Sequence, residues 1–191
     1  RVISIIGEGG IGKTALAQRC LYDILELCES QPEDNRIFDM ILWVSLKTNR
    51  LTQSGAVNIK NAITNSSEMF KDIHKNLAMD IEGSLDDILK EILEYLETFK
   101  ILLCIDNLET ISSSEVRDFL SQIPNNSKVV ITTRMGLGEI EYRFKLDKLN
   151  DKDSIELLRH MAKLLNISSL LKKNTEALKI ICKKLYNNPL L

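Results

Sequence analysis

Short, nearly unbroken apolar runs alternate along this chain with longer segments in which apolar residues recur every three or four positions. Runs of the first kind read as strands buried on both faces, and segments of the second as helices with one apolar stripe. Their alternation predicts βαβ units and a mostly parallel sheet covered on both sides. Five strands are expected, at residues 2–6, 38–46, 101–106, 129–133 and 142–146, each bounded by charge or turn residues. The clearest helix follows Ser84, which forms an S-x-x-D capping box with Asp87. Leu85, Ile88, Leu89, Ile92, Leu93, Leu96 and Phe99 then share one face. A helix over 13–28 is expected to turn Leu16, Cys20, Ile24, Leu27 and Cys28 inward. Another opens at Ser112-x-x-Glu115, carries Val116, Phe119, Leu120 and Ile123, and stops at Pro124.

Between Lys47 and Asn65 the sequence turns polar and irregular, which predicts a long loop before a helix over 67–78. From Asn150 onward the strands cease and two helical stretches remain, at 153–165 and 174–186. A boundary near Leu149 follows, giving a domain over 1–149 and a small helical element over 150–191. Trp43 lies mid-strand among apolar neighbours and reads as core. Arg1 leads directly into a strand and the last residues reach a helix-then-proline turn, so the expectation is a piece of a longer protein.

With 191 residues, 44% hydrophobic and 27% charged, the chain has enough apolar material for one ordinary domain and a small appendage. Lys+Arg 25 against Asp+Glu 27 leaves a formal charge of -2, which gives no global reason to expect nucleic acid or an anionic membrane. Cys20, Cys28, Cys104 and Cys182 sit in apolar stretches without C-x-x-C spacing, far from His74 and His160, which disfavours zinc or a disulfide framework. No apolar run approaches the length of a membrane span. The reading is a soluble cytoplasmic protein.

Chemistry enters at Gly7-Glu8-Gly9-Gly10-Ile11-Gly12-Lys13-Thr14, which fits G-x-x-x-x-G-K-[ST] and lies between a buried strand and an amphipathic helix. Gly7, Gly9, Gly10 and Gly12 let the backbone curl so that its amides, including that of Ile11, face phosphate oxygens. The helix N-terminus, with Ala15 in its first turn, adds to that field. Lys13 reaches the β- and γ-phosphates, and the Thr14 hydroxyl ligates Mg²⁺. The competing reading is a glycine turn that merely joins strand to helix. A second strand ends in Asp106 at the edge where ligands of open α/β sheets bind, so Asp106 is placed to hold Mg²⁺ through water. Glu109 is the nearest candidate to orient an attacking water, against an exposed loop charge. Arg134, after Thr132 and Thr133 at the same edge, is placed to contact the γ-phosphate, against a surface ion pair. No N-K-x-D tetrapeptide is present, which favours adenine over guanine.

Together these motifs resemble the NB-ARC group of STAND-type P-loop ATPases, of prokaryotic type. The resemblance covers the P-loop, the 38–45 segment with its Trp43-Val44, the strand ending in Asp106, Thr132-Thr133-Arg134, and Asn188-Pro189-Leu190-Leu191 where the family has Gly-Leu-Pro-Leu. It implies a three-layer αβα fold with a five-stranded parallel sheet of order 2-3-4-1-5, followed by the start of a helical lid. It further implies an ADP/ATP switch with Mg²⁺ and slow hydrolysis, with Pro189 near the adenine or ribose. The implied partners are the other domains of the parent chain, winged-helix, sensor and effector, and a nucleotide-dependent self-association. Asn107 departs from the Asp-Asp that many members carry, and cannot serve as a carboxylate base. Two other readings stay open: a steadily turning-over AAA-like ATPase, and a nucleotide-stabilised scaffold without catalysis.

Overall fold

The computed structural model describes residues 1–52, 55–77, 83–111 and 113–189. Strand β1 (Val2–Ile6) leads into the glycine turn and α1 (Lys13–Glu29), followed by β2 (Met40–Ser45). A hairpin of β3 (Asn49–Thr52) and β4 (Gly55–Asn58) precedes α2 (Ser66–Asn76) and α3 (Leu85–Thr98). Then come β5 (Ile101–Asp106), α4 (Ser114–Ser121), β6 (Lys128–Thr133) and β7 (Glu141–Lys145). The chain closes with α5 (Asp151–Leu164), the single turn α6 (Ser168–Leu171) and α7 (Thr175–Lys184). Two compact units result, residues 1–6 with 14–144, and residues 7–13 with 145–191.

The first unit is built on a five-stranded sheet of order β2-β5-β6-β1-β7. With the separate hairpin left out, this is the expected 2-3-4-1-5. The pairings of β2 with β5, β5 with β6 and β1 with β6 are parallel, with Met40 opposite Ile101, Leu103 opposite Val129 and Val2 opposite Val129. Every residue of β5 is buried, because it has a strand on either side and carries apolar side chains on both faces. Met69, Phe70 and Ile73 of α2, Ile88, Ile92 and Leu96 of α3, and Phe119 of α4 pack with Leu103, Ile105, Val129 and Ile131 of the sheet in one core. Each such side chain contributes on the order of 2 kcal/mol by leaving water. Phe70 and Phe119 meet edge-on at 5.2 Å between ring centroids.

Local signals hold where they concern hydrogen bonds close in sequence. Ser84 and Asp87 form the full capping box, each accepting from the other's backbone amide. Both the hydroxyl and the backbone amide of Ser84 donate to Asp87 and hold its carboxyl below the usual range. Several details differ from expectation. The polar 47–65 stretch contains the antiparallel hairpin, with Asn49 opposite Asn58, because cross-strand backbone pairing needs no apolar alternation. In α1, Cys28 is buried as expected and Leu16 and Ile24 are half-buried, but Cys20 and Leu27 are exposed and Ala17 is buried instead. Phe99 ends the α3 stripe at 39% exposure, since it is the C-cap and has left the helical path. The cap of α4 is Ser113, whose hydroxyl accepts from the Val116 amide, whereas the expected Ser112 lies outside the described residues, as does Ala78 of the helix expected over 67–78. Trp43 is half-buried.

The second unit has its own small core of Ile155, Leu178 and Cys182, with Leu158, Leu170 and Ile181 packed against it. Asn150 and Asn174 cap α5 and α7 by accepting from amides three residues on. The helix α7 ends in two left-handed residues, Tyr186 (φ 54) and Asn187 (φ 52), and the Asn187 amide returns to the Cys182 carbonyl at 2.8 Å. All four cysteines are free thiols. Among the described residues no helix is long and apolar enough to cross a membrane, and no cluster of three His, Cys, Asp or Glu side chains forms a metal-binding group.

Candidate functional site

At the C-terminal edge of the sheet in the first unit, Asp106 ends β5 with 1% of its surface exposed. A carboxylate so deep is stable only if its charge is matched and its oxygens accept hydrogen bonds. The Thr14 hydroxyl donates to Oδ1 at 2.7 Å and the Thr132 hydroxyl to the same oxygen at 2.6 Å. The Lys47 ammonium stands 3.1 Å from Oδ2 and also donates to Thr14 Oγ1 at 3.0 Å. Thr14 lies in the first turn of α1 and Asp106 ninety-two positions later, so this joining of hydroxyl and carboxylate is the work of the sheet order. Burial, and after it the Asp106 charge, pushes the Cys104 thiol up to about 12, which keeps that sulfur neutral.

Asn107 follows in the left-handed region (φ 70, ψ 45), a conformation that Asn tolerates better than most residues. Its amide donates to Thr132 Oγ1 at 2.9 Å, so Thr132 links the end of β6 both to the Asp106 side chain and to the backbone beyond it. Glu109 and Arg134 are brought together, with Arg134 Nε donating to Glu109 Oε1 at 3.1 Å. The Arg134 side chain is 63% exposed while that of Glu109 is 15% exposed. The two residues expected to act on a terminal phosphate and on water therefore neutralise one another across the edge of the sheet.

In the second unit, the loop of residues 7–13 shows why glycine recurs. Gly10 (φ 78) and Gly12 (φ 104) adopt backbone angles that a side chain disfavours. A Cβ on Gly7 would meet the Leu146 carbonyl oxygen at 2.7 Å. Ile11 and Lys13 are buried, and the Lys13 ammonium donates to the carbonyls of Gly7 and Glu8, both at 2.9 Å, inside the curl. Gly7, Glu8 and Ile11 line a cavity of about 300 Å³ together with Lys145, Leu146, Asp147 and Lys148. Asn188 donates to the Gly9 carbonyl at 3.0 Å, and Lys148 lies 5.4 Å from the centre of the Tyr186 ring. The neighbouring Pro189 is exposed and borders an apolar groove with Leu149, Met161 and Leu185. Ala15 is exposed in the first turn of α1. Leu190 and Leu191 lie outside the described residues.

Sequence reasoning missed Lys47 and the anchoring role of Thr132. The signal for Lys47 was present: strand order puts β2 beside β5, and Ser45 is opposite Asp106, so a lysine two residues past Ser45 emerges at the same edge. For Mg²⁺ the donor set fits. A hydroxyl and a carboxylate held together supply hard oxygens, and such ions take one or two protein oxygens and fill the rest with phosphates and water.

Among solved structures, the chain is similar to Cdc6p from Pyrobaculum aerophilum, at 15% identity and a TM-score of 0.59, over 85% of this chain and 43% of that one. It is likewise similar to a signal transduction ATPase with numerous domains, carrying a tetratricopeptide repeat sensor, from Pyrococcus horikoshii. There the identity is 19% and the TM-score 0.53, over 98% of this chain and 26% of that one. The chain thus spans less than half of either protein, and the likeness is one of fold. No curated protein matches the sequence. The family model of the NB-ARC domain matches residues 1–168, spanning the glycine loop, Thr14, Asp106 and Arg134 alike, and the chain belongs to the NB-ARC domain family.

Proposed function

We propose that this chain is the nucleotide-binding domain of a larger switch protein, which binds ADP and ATP with Mg²⁺ and hydrolyses ATP slowly. The observation that carries the reading is the meeting of Thr14 and Asp106 at 2.7 Å, the hydroxyl and acid expected at a nucleotide-bound metal, in a chain whose glycine loop encloses an ammonium. The amides of Gly7, Gly9, Gly10, Ile11 and Gly12 and the start of α1 through Ala15 bind phosphate, and Lys13 exchanges the Gly7 and Glu8 carbonyls for phosphate oxygens. Thr14 and Asp106 would hold Mg²⁺, which would supply positive charge against that of the phosphates. Arg134 leaves Glu109 for the γ-phosphate of ATP, and the carboxylate so freed orients water. Asn107 offers no second carboxylate, which supports slow turnover. Residues 1–149 form the nucleotide domain and 150–191 the first part of a helical lid, with Pro189 beside the base or sugar. Binding ADP or ATP then biases two arrangements that differ by a few kcal/mol, read out by further domains of the parent chain and by self-association in the cytoplasm.

The test is thermal unfolding of the 191-residue chain with Mg²⁺ and ADP, ATP or GTP, beside Lys13→Ala and Arg134→Ala. A ligand that binds only the folded state adds about 2.7 kcal/mol at a hundred times its Kd. Adenine nucleotides should raise the midpoint, GTP should not, Lys13→Ala should lose both responses, and Arg134→Ala should lose mainly that to ATP. A wild-type chain indifferent to all three nucleotides would overturn the reading, and equal losses for ADP and ATP in Arg134→Ala would remove the sensor role.

A further inference from the structure

The Thr14–Asp106 pair has a cation beside it already. Thr14 Oγ1 uses its proton on Asp106 Oδ1 at 2.7 Å, which leaves its lone pairs for a positive partner, and the Lys47 ammonium takes one at 3.0 Å while standing 3.1 Å from Asp106 Oδ2. A metal ligated by Thr14 would have to take the remaining lone pair, on the same oxygen as the ammonium. A divalent ion beside it would stand within a few ångströms of the ammonium, where like charges repel. The two cations cannot share the place.

Lys47 is also built to leave. It follows β2 in irregular backbone, and its side chain is 38% exposed while that of Asp106 is 1% exposed, so the ammonium has a route to water that the carboxylate lacks. Its flexible four-carbon stem can carry the charge outward without moving the sheet. We propose that Lys47 is a resident competitor of Mg²⁺: its ammonium and a divalent ion are alternative occupants of the Thr14–Asp106 oxygen pair, and metal binds by displacing the lysine. The inference rests on the reading of Thr14 and Asp106 as the Mg²⁺ oxygens, and it assigns to this chain's own lysine the control of metal affinity.

The experiment uses no nucleotide, so its outcome is separate from that of the nucleotide test. Wild type, Lys47→Met and the double variant Lys47→Met/Asp106→Asn are unfolded thermally in EDTA and in Mg²⁺, and titrated with Mn²⁺ followed by electron paramagnetic resonance. In EDTA, Lys47→Met should melt below wild type, because a buried carboxylate has lost its counter-charge. Mg²⁺ should recover most of that loss while moving wild type little, and Mn²⁺ should bind Lys47→Met tighter by about tenfold or more, or about 1.4 kcal/mol. The double variant should respond to neither ion. Folding of Lys47→Met only in Mg²⁺ would support the proposal. Equal Mn²⁺ affinity in wild type and Lys47→Met, or a Lys47→Met chain that fails to fold with or without Mg²⁺, would overturn it.

Discussion

Replacing Thr132 by valine keeps the shape of the side chain and removes one oxygen, and the structure says what that oxygen holds. Its hydroxyl donates to Asp106 Oδ1 at 2.6 Å and accepts from the Asn107 amide at 2.9 Å, with Thr132 and Asp106 both buried. A hydrogen bond to a buried charge contributes about 2 kcal/mol, and an amide left without its acceptor costs about 2 kcal/mol more. A methyl in place of the hydroxyl returns on the order of 1 kcal/mol. Thr132→Val should therefore destabilise the domain by about 3 kcal/mol. With a urea slope of about 2 kcal/mol/M, that lowers the unfolding midpoint by about 1.5 M. Trp43, the single tryptophan, sits in β2 of the same sheet and reports the transition by fluorescence. Thr132→Ser keeps the oxygen and should lose only about 1 kcal/mol, the value of a buried methyl. A Thr132→Val midpoint close to wild type, or a Thr132→Ser variant as unstable as Thr132→Val, would refute the anchoring role.

Other perturbations read different parts of the molecule. Gly12→Ala meets no steric obstacle, since nothing lies within 4 Å of the added carbon, yet its φ of 104 disfavours a side chain. It should cost about 1–2 kcal/mol of stability, measured by the same urea titration. The buried Glu141 side chain receives hydrogen bonds from the Leu137 amide and from Arg143 Nε. Burial, the largest influence, works against its charge, but Ser4, Arg143 and Leu137 together outweigh it and hold the carboxyl below the usual value. An acid with a lowered folded pKa adds stability above its unfolded value, near 4.5, and loses it as pH falls through the folded one. Wild type should thus lose stability more steeply than Glu141→Gln as pH drops from about 5, a difference read from midpoints across that range.

The sequence alone determined what depends on near neighbours. Apolar runs marked the sheet strands most clearly at β5, where every residue is buried, and least at β7, which is charged and largely exposed. Ser84 and Asp87 announced their helix, because a capping box closes within four residues. The glycine loop was legible because Gly10 and Gly12 need left-handed backbone and the lysine and threonine follow in fixed order. The strand pair Asn49–Thr52 and Gly55–Asn58 was hidden in polar sequence, since its hydrogen bonds join backbone to backbone. Along α1 the sequence placed Cys28 correctly and misplaced Cys20 and Leu27, because burial follows what the helix rests on, and small Ala17 is buried while Leu27 is not. The motifs already put Thr14 and Asp106 at one metal, whereas the contacts of Lys47 and Thr132 with that carboxylate were decided by tertiary structure. Thr14, Lys47 and Thr132 come from three distant parts of the chain, and only a sheet that sets β2 and β6 on either side of β5 brings their polar atoms to one carboxylate.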